Sequence, residues 1–162
     1  MKKNLFLFVV LFFLTVQSFS QTDSFSVFTY QAPEFFTKTN LPSRLQFSLT
    51  NNDTSFCKII LYKSQAAKDS VIQDVNGQWN EYVLKQLSKA DKKPARIYTQ
   101  QLWDGWVSTV AVGNFYQHKK KAVVMLSLYR KGKETACVMF VFSDKSFKGV
   151  VDKFSKNLHL LK

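Results

Sequence analysis

Cysteine, histidine, proline, glycine and acidic side chains are all scarce in this chain of 162 residues, and each shortage removes a class of chemistry. Its two histidines, His118 and His159, have no i, i+4 partner and no cysteine pair beside them, so neither the spacing of a helical zinc site nor that of a zinc finger is present. No metal is expected. Five glycines leave no glycine-rich phosphate loop, and no G-x-S-x-G elbow presents a nucleophilic serine. Cys57 and Cys137 both lie in apolar runs, a setting that keeps a thiol protonated rather than reactive. Neither a catalytic residue nor a cofactor is expected from these motifs, and the sequence reads as a non-enzyme.

What is abundant begins at the amino terminus. Lys2-Lys3 is followed by the apolar run Leu5 to Val16, and Ser18-Phe19-Ser20 puts small residues where a signal peptidase reads them. A signal peptide over 1–20 is therefore expected, with one domain over 21–162. The apolar run is shorter than the roughly twenty residues that cross a bilayer, so no membrane anchor is expected after cleavage. The protein is expected to be exported, periplasmic or extracellular. Export permits a disulfide between Cys57 and Cys137, and two buried free thiols are equally compatible with the sequence. If the two cysteine-bearing strands are not neighbours in the sheet, no bond can form.

Basic residues outnumber acidic ones, 23 to 11, for a formal charge of +12. Loss of Lys2 and Lys3 with the leader lowers this to +10. Lysines cluster at Lys89 to Lys93, at Lys119, Lys120 and Lys121, and with Arg130 at Arg130 to Lys133. Such a balance favours an acidic protein, a glycan or an anionic surface as partner. Lysines at turn tips also keep sheet proteins soluble and guard sheet edges, a role that needs no partner. Nucleic acid is not expected: the chain is exported, and Arg44, Arg96 and Arg130 are its few residues of the type best suited to bidentate phosphate contacts.

The chain is organised around three β-patterned runs between Trp103 and Ser143. Trp106 to Tyr116, Ala122 to Tyr129 and Thr135 to Phe142 are rich in β-branched and aromatic residues, and are separated by Gln117 to Lys121 and by Arg130-Lys-Gly-Lys133. The second and third runs are apolar on both faces, as in the middle of a sheet covered on both sides. Covering elements must come from elsewhere in the chain. Upstream, Phe25 to Tyr30, Leu45 to Leu49 and Phe56 to Lys63 alternate as strands, the last two as a hairpin. The period then changes. Ser70 with Gln73 has the form of a capping box, and Ile72, Val75, Trp79, Tyr82, Val83 and Leu87 recur at helical spacing to about Ser88. Arg96 to Leu102 reads as a further strand. Ser143-Asp144 caps a closing helix whose apolar residues are Phe147, Val150, Val151, Phe154, Leu158 and Leu161.

The order βββαββββα predicts an α+β domain, a central antiparallel sheet of about six or seven strands with two helices packed on it. Phe28-Thr-Tyr-Gln-Ala-Pro33 at the entry, the mid-chain helix around Trp79, the hairpin series and the closing helix together resemble the PsbP-like fold of small exported proteins. The resemblance covers most of the mature chain as an order of elements, and implies a central antiparallel sheet flanked by helices. Because that family holds binding and assembly proteins more than enzymes, it implies no particular chemistry.

Candidate binding residues are Trp103, Asp104 and Trp106, where two indoles and a carboxylate at a strand junction suit a sugar or a peptide, together with Lys119, Lys120 and Lys121. Against that stands packing, in which both indoles close the end of the sheet beneath a helix. The leading expectation is a non-catalytic exported binding module of the bacterial envelope for an acidic partner. The alternative is a small envelope hydrolase or chaperone-like accessory factor, with Asp104 and His118 sharing a cleft.

Overall fold

The computed structural model describes residues 22–52, 55–117 and 119–161. The expected leader lies outside the described residues, as does His118. The chain opens with a hairpin, β1 (Thr22–Phe25) and β2 (Phe28–Gln31). One strand was expected over Phe25 to Tyr30, but Ser26 takes a left-handed conformation, φ 54°, and reverses the chain. Its hydroxyl donates to Ser64 Oγ at 3.2 Å and accepts the Ser64 N–H at 2.9 Å, which holds the turn against the end of the next hairpin. The alternation was real, but it ran through a turn without the usual glycine or asparagine.

β3 (Thr37–Leu41) and β4 (Arg44–Asn52) form a hairpin across Pro42-Ser43. β3 is exposed along its whole length and has no apolar face, so nothing in its own pattern announces it. Pairing with β4 makes it a strand. β5 (Ser55–Tyr62) and the short β6 (Gln65–Ala66) follow. Ser70 Oγ then accepts the Gln73 N–H at 3.2 Å and starts α1 (Val71–Gln78), which widens into a π-helical turn over Trp79–Leu84. The expected helix is thus regular for only its first half. Val75, Trp79 and Val83 are buried as its spacing required, while Ile72 faces solvent.

β7 (Arg96–Gln101), β8 (Val107–Gln117), β9 (Lys120–Lys131) and β10 (Glu134–Phe142) complete the expected series. Asp144 accepts the Ser146 N–H at 2.7 Å and caps a 3₁₀ turn that leads into α2 (Lys148–Lys156). Leu158 and Leu161 do not continue that helix. The chain instead turns into β11 (His159–Leu160), which pairs with β2.

The main sheet is antiparallel, in the order β3-β4-β5-β10-β9-β8-β7, with β6 alongside β10 as an eighth strand. A second sheet, β1-β2-β11, shares no ladder with it. The fold class is therefore α+β, as the element order predicted, and both faces of the central strands β5 and β10 are covered. On one face Val75, Trp79 and Val83 pack on Ile60, Leu126, Leu128 and Met139. On the other, Phe28, Tyr30, Phe147, Val151 and Phe154 pack on Phe47, Ile59, Val138 and Phe140. Each buried Leu, Val or Phe contributes about 1.5–3 kcal/mol.

The possible disulfide is not formed: both cysteines are free and buried. β5 and β10 are neighbours, yet Cys57 pairs with Phe142, five positions along β10 from Cys137, or about 17 Å. The two side chains also lie on opposite faces, each in a different half of the core. Burial pushes the Cys57 thiol up to about 12 and holds the Cys137 thiol well above its ordinary value. An ion pair fastens α1 to the sheet. Arg130 on β9 reaches Asp74 Oδ2 at 2.6 Å, and Asp74 Oδ1 accepts the Lys68 N–H at 2.8 Å, with Asp74 only 2% exposed.

Candidate functional site

Two of the three lysine groups meet at one end of the main sheet. The loop after the π-helical turn carries Lys89, Lys92 and Lys93 back towards β8, and Asp91 pins it there. Its backbone N–H donates to Asn114 O at 2.8 Å, and its Oδ2 accepts the Asn114 N–H at 2.8 Å and Nδ2–H at 3.0 Å. The Trp79 indole N–H donates to Asp91 O at 3.0 Å, tying the same residue to the core. The acidic member of the run thus points inward and holds its lysine neighbours at the surface.

The second group sits on the hairpin that faces this loop. The β8–β9 ladder runs as far as Gln117 opposite Lys120. Lys119, just before β9, has φ 62°, and Lys89 across the gap has φ 57°. For a residue with a Cβ this conformation costs about 1–2 kcal/mol, and tight hairpin turns are built from such angles. Ser88, Lys89, Tyr116, Gln117 and Lys119 line one open cleft of about 690 Å³.

Its chemistry is simple. Two ammonium groups, a serine hydroxyl, a phenol and an amide offer hydrogen-bond donors to an anion. Among the described residues its lining holds no carboxylate and no thiol. Lys120 lies close enough to Asp144 to add to the lowering of that carboxyl, which comes first from the Ser146 backbone N–H.

The other candidates lie elsewhere. Trp103 and Asp104 belong to a 3₁₀ turn that precedes β8, with Asp104 at φ 60°. Trp103 is 91% exposed, whereas Trp106 is 3% exposed with Lys131 Nζ 5.9 Å from its ring centroid. Packing thus accounts for Trp106 and not for Trp103, and the two indoles do not form a two-sided clamp. Eleven residues of β8, about 33 Å, separate this turn from the lysine hairpin. The six residues singled out from the sequence therefore fall at two ends of the molecule. Asp104 precedes β8 and Gln117 ends it, and the shared cleft expected for Asp104 and His118 falls on a residue outside the described ones. Among the described residues no group of three or more His, Cys, Asp or Glu could hold a metal ion, and His159 is exposed on β11.

One cavity was not anticipated. A cleft of about 370 Å³ opens between the exit of β2 and α2, walled by Ala32, Pro33, Phe35, Val150 and Phe154. Phe35 is 90% exposed with φ 66°, and Glu34 pairs with Lys153 at 3.2 Å across the same gap. The adjacent phenylalanines Phe35-Phe36 after a proline were the available signal.

The sequence matches no family model and no curated protein. Solved structures do resemble it. A protein from Bacteroides thetaiotaomicron aligns over 88% of this chain and 49% of its own, with a TM-score of 0.53 and 12% identity. This chain spans about half the length of that protein. Cyanobacterial PsbP from Synechocystis aligns over 90% of this chain and 95% of its own, with a TM-score of 0.59 and 8% identity. The chain has a PsbP-like fold. At such identity the likeness is one of backbone path, so the PsbP-like fold supplies the scaffold and leaves the lysine cleft to this chain's own residues. Among the described residues no helix is long and apolar enough to cross a membrane.

Proposed function

We propose that this protein is a non-catalytic, exported binding module of the bacterial envelope, and that it engages an acidic partner through the cleft between Lys89 and Lys119. The observation that carries the reading is the convergence of two lysine-rich loops, distant in sequence, on one cleft with no carboxylate among its described lining residues. The excess of basic residues supports it, because a net positive field raises the local concentration of anions and speeds their approach. The leader pattern at residues 1–20 supports export.

The test is thermal unfolding against a panel of anionic glycans, lipopolysaccharide, anionic vesicles, acidic peptides and metal ions. A ligand that binds only the folded state raises the midpoint by mass action. The expected result is a rise with one anionic class that shrinks with added salt, since the screening length falls to about 8 Å at physiological ionic strength. A Lys89→Ala, Lys119→Ala double variant should fold normally and lose that rise. A salt-insensitive rise, or one the double variant retains in full, would remove the cleft from the binding site.

A further inference from the structure

One loop, residues 90–95, joins the lysine cleft to an unguarded sheet edge. β7 ends the strand order, pairs only with β8 among the described residues, and is exposed at all six positions. In an antiparallel pair, alternate residues turn their N–H and C=O groups away from the neighbour, so the outer side of β7 carries a row of free donors and acceptors. The opposite edge is guarded. Lys38 stands within β3, at its second position, paired with Asp23 at 2.7 Å and 5.7 Å from the Tyr30 ring centroid, and Pro42 follows the strand. β7 has no proline and no charge within it, only Arg96 at its first position. Ile97 lies beside Ala111 on one face and Tyr98 beside Val110 on the other, both side chains substantially exposed.

Edge and cleft are joined through the loop between them. The loop that lines the cleft runs along β8, held by Asp91 at Asn114 and by the Ala95 N–H donating to Val112 O at 2.8 Å, and enters β7 at Arg96 opposite Val112. A chain laid along β7 and continued past Arg96 therefore reaches Lys92, Lys93 and the cleft.

We infer that an extended peptide segment with an acidic end adds to β7 as a further strand and places that acidic end in the lysine cleft. This deepens the reading of the cleft as an acid-binding site, and rests on it. Main-chain hydrogen bonds to the edge supply affinity, side chains alternating onto Ile97 and Tyr98 supply selectivity, and the lysines fix the direction. A second copy of this chain is the poorer occupant, because two strongly basic chains would bring like charges together.

The probe is a labelled peptide of alternating valine and threonine with glutamates at its carboxyl end, which antiparallel pairing brings to Arg96. Its controls are the same peptide with alternate backbone amides N-methylated, and poly-glutamate. The expected result is that N-methylation weakens binding by about tenfold or more, the loss of about 1.4 kcal/mol. Thr99→Pro in the protein should do the same, while poly-glutamate binding responds to Lys89→Ala and Lys119→Ala and not to Thr99→Pro. Equal binding of the methylated and unmethylated peptides, or poly-glutamate binding without peptide binding, would overturn strand addition and leave the cleft reading intact. Failure of both probes would overturn the cleft reading with it. Self-association of the protein that Thr99→Pro abolishes would assign the edge to a second copy and overturn the peptide. If Thr99→Pro fails to fold, the N-methylated peptide decides the matter on the unaltered protein.

Discussion

The indole of Trp79 lies against Gly113, so close that a methyl group on the glycine would stand 2.8 Å from both Cη2 and Cζ2. Real Cβ atoms do not approach that near, and a ring anchored through its N–H to Asp91 has little room to retreat. Gly113 is needed here for close approach and not for an unusual backbone angle. The contact fixes where the π-helical turn meets β8, and through Asp91 it fixes the loop that carries Lys89.

Gly113→Ala is therefore expected to destabilise the protein by about 1–3 kcal/mol, the usual cost of overpacking a core. Urea unfolding measures it. Combination with Trp79→Phe should recover part of the loss, because the smaller ring withdraws the two clashing atoms; strictly additive losses would place the strain elsewhere.

Arg130→Met leaves the Asp74 carboxylate buried without its ion partner, and is expected to cost about 3 kcal/mol, near the lower end for a broken buried pair because Arg130 keeps some contact with water. Replacing both, Arg130→Met with Asp74→Leu, should cost less than the single change. A single variant as stable as the parent would show that the pair does not hold α1 to β9.

The cysteines should behave as two buried thiols. Ellman's reagent is expected to label neither in the folded protein and both in denaturant, and a reducing agent should leave the unfolding midpoint unchanged. A midpoint that falls on reduction would require a disulfide, which the register of β5 and β10 forbids.

Stability should fall on the alkaline side. Burial raises the Cys57 thiol from 9.0, and the phenols of Tyr82 and Tyr129 from 10.0, each to about 12. Below pH 9 the folded and unfolded chains both keep these protons, so the stabilisation is fully present. As pH rises from 9 towards 12 the unfolded chain releases them first, and the stabilisation is lost. The urea midpoint, followed across that window, should decline.

Much of this fold is a matter of local pattern. The alternation in Ala122 to Tyr129 and Thr135 to Phe142, the glycine-bearing turn between them and the caps at Ser70 and Asp144 are short-range devices, readable from neighbouring residues. Composition likewise determined the positive charge and the lack of familiar catalytic motifs. Tertiary structure decided the rest, because strand order and register depend on contacts between distant segments. β3 is a strand only because β4 pairs with it, and the turn at Ser26 holds through Ser64. Cys57 and Cys137 fall on opposite faces of adjacent strands, and Trp106 is buried while Trp103 is not. Neither distinction shows in the residues themselves. The lysine cleft is the plainest case. Lys89 and Lys119 are thirty positions apart on two loops, and they share a cleft because Trp79 and Asp91 bind the first loop to β8 just short of the hairpin that carries the second.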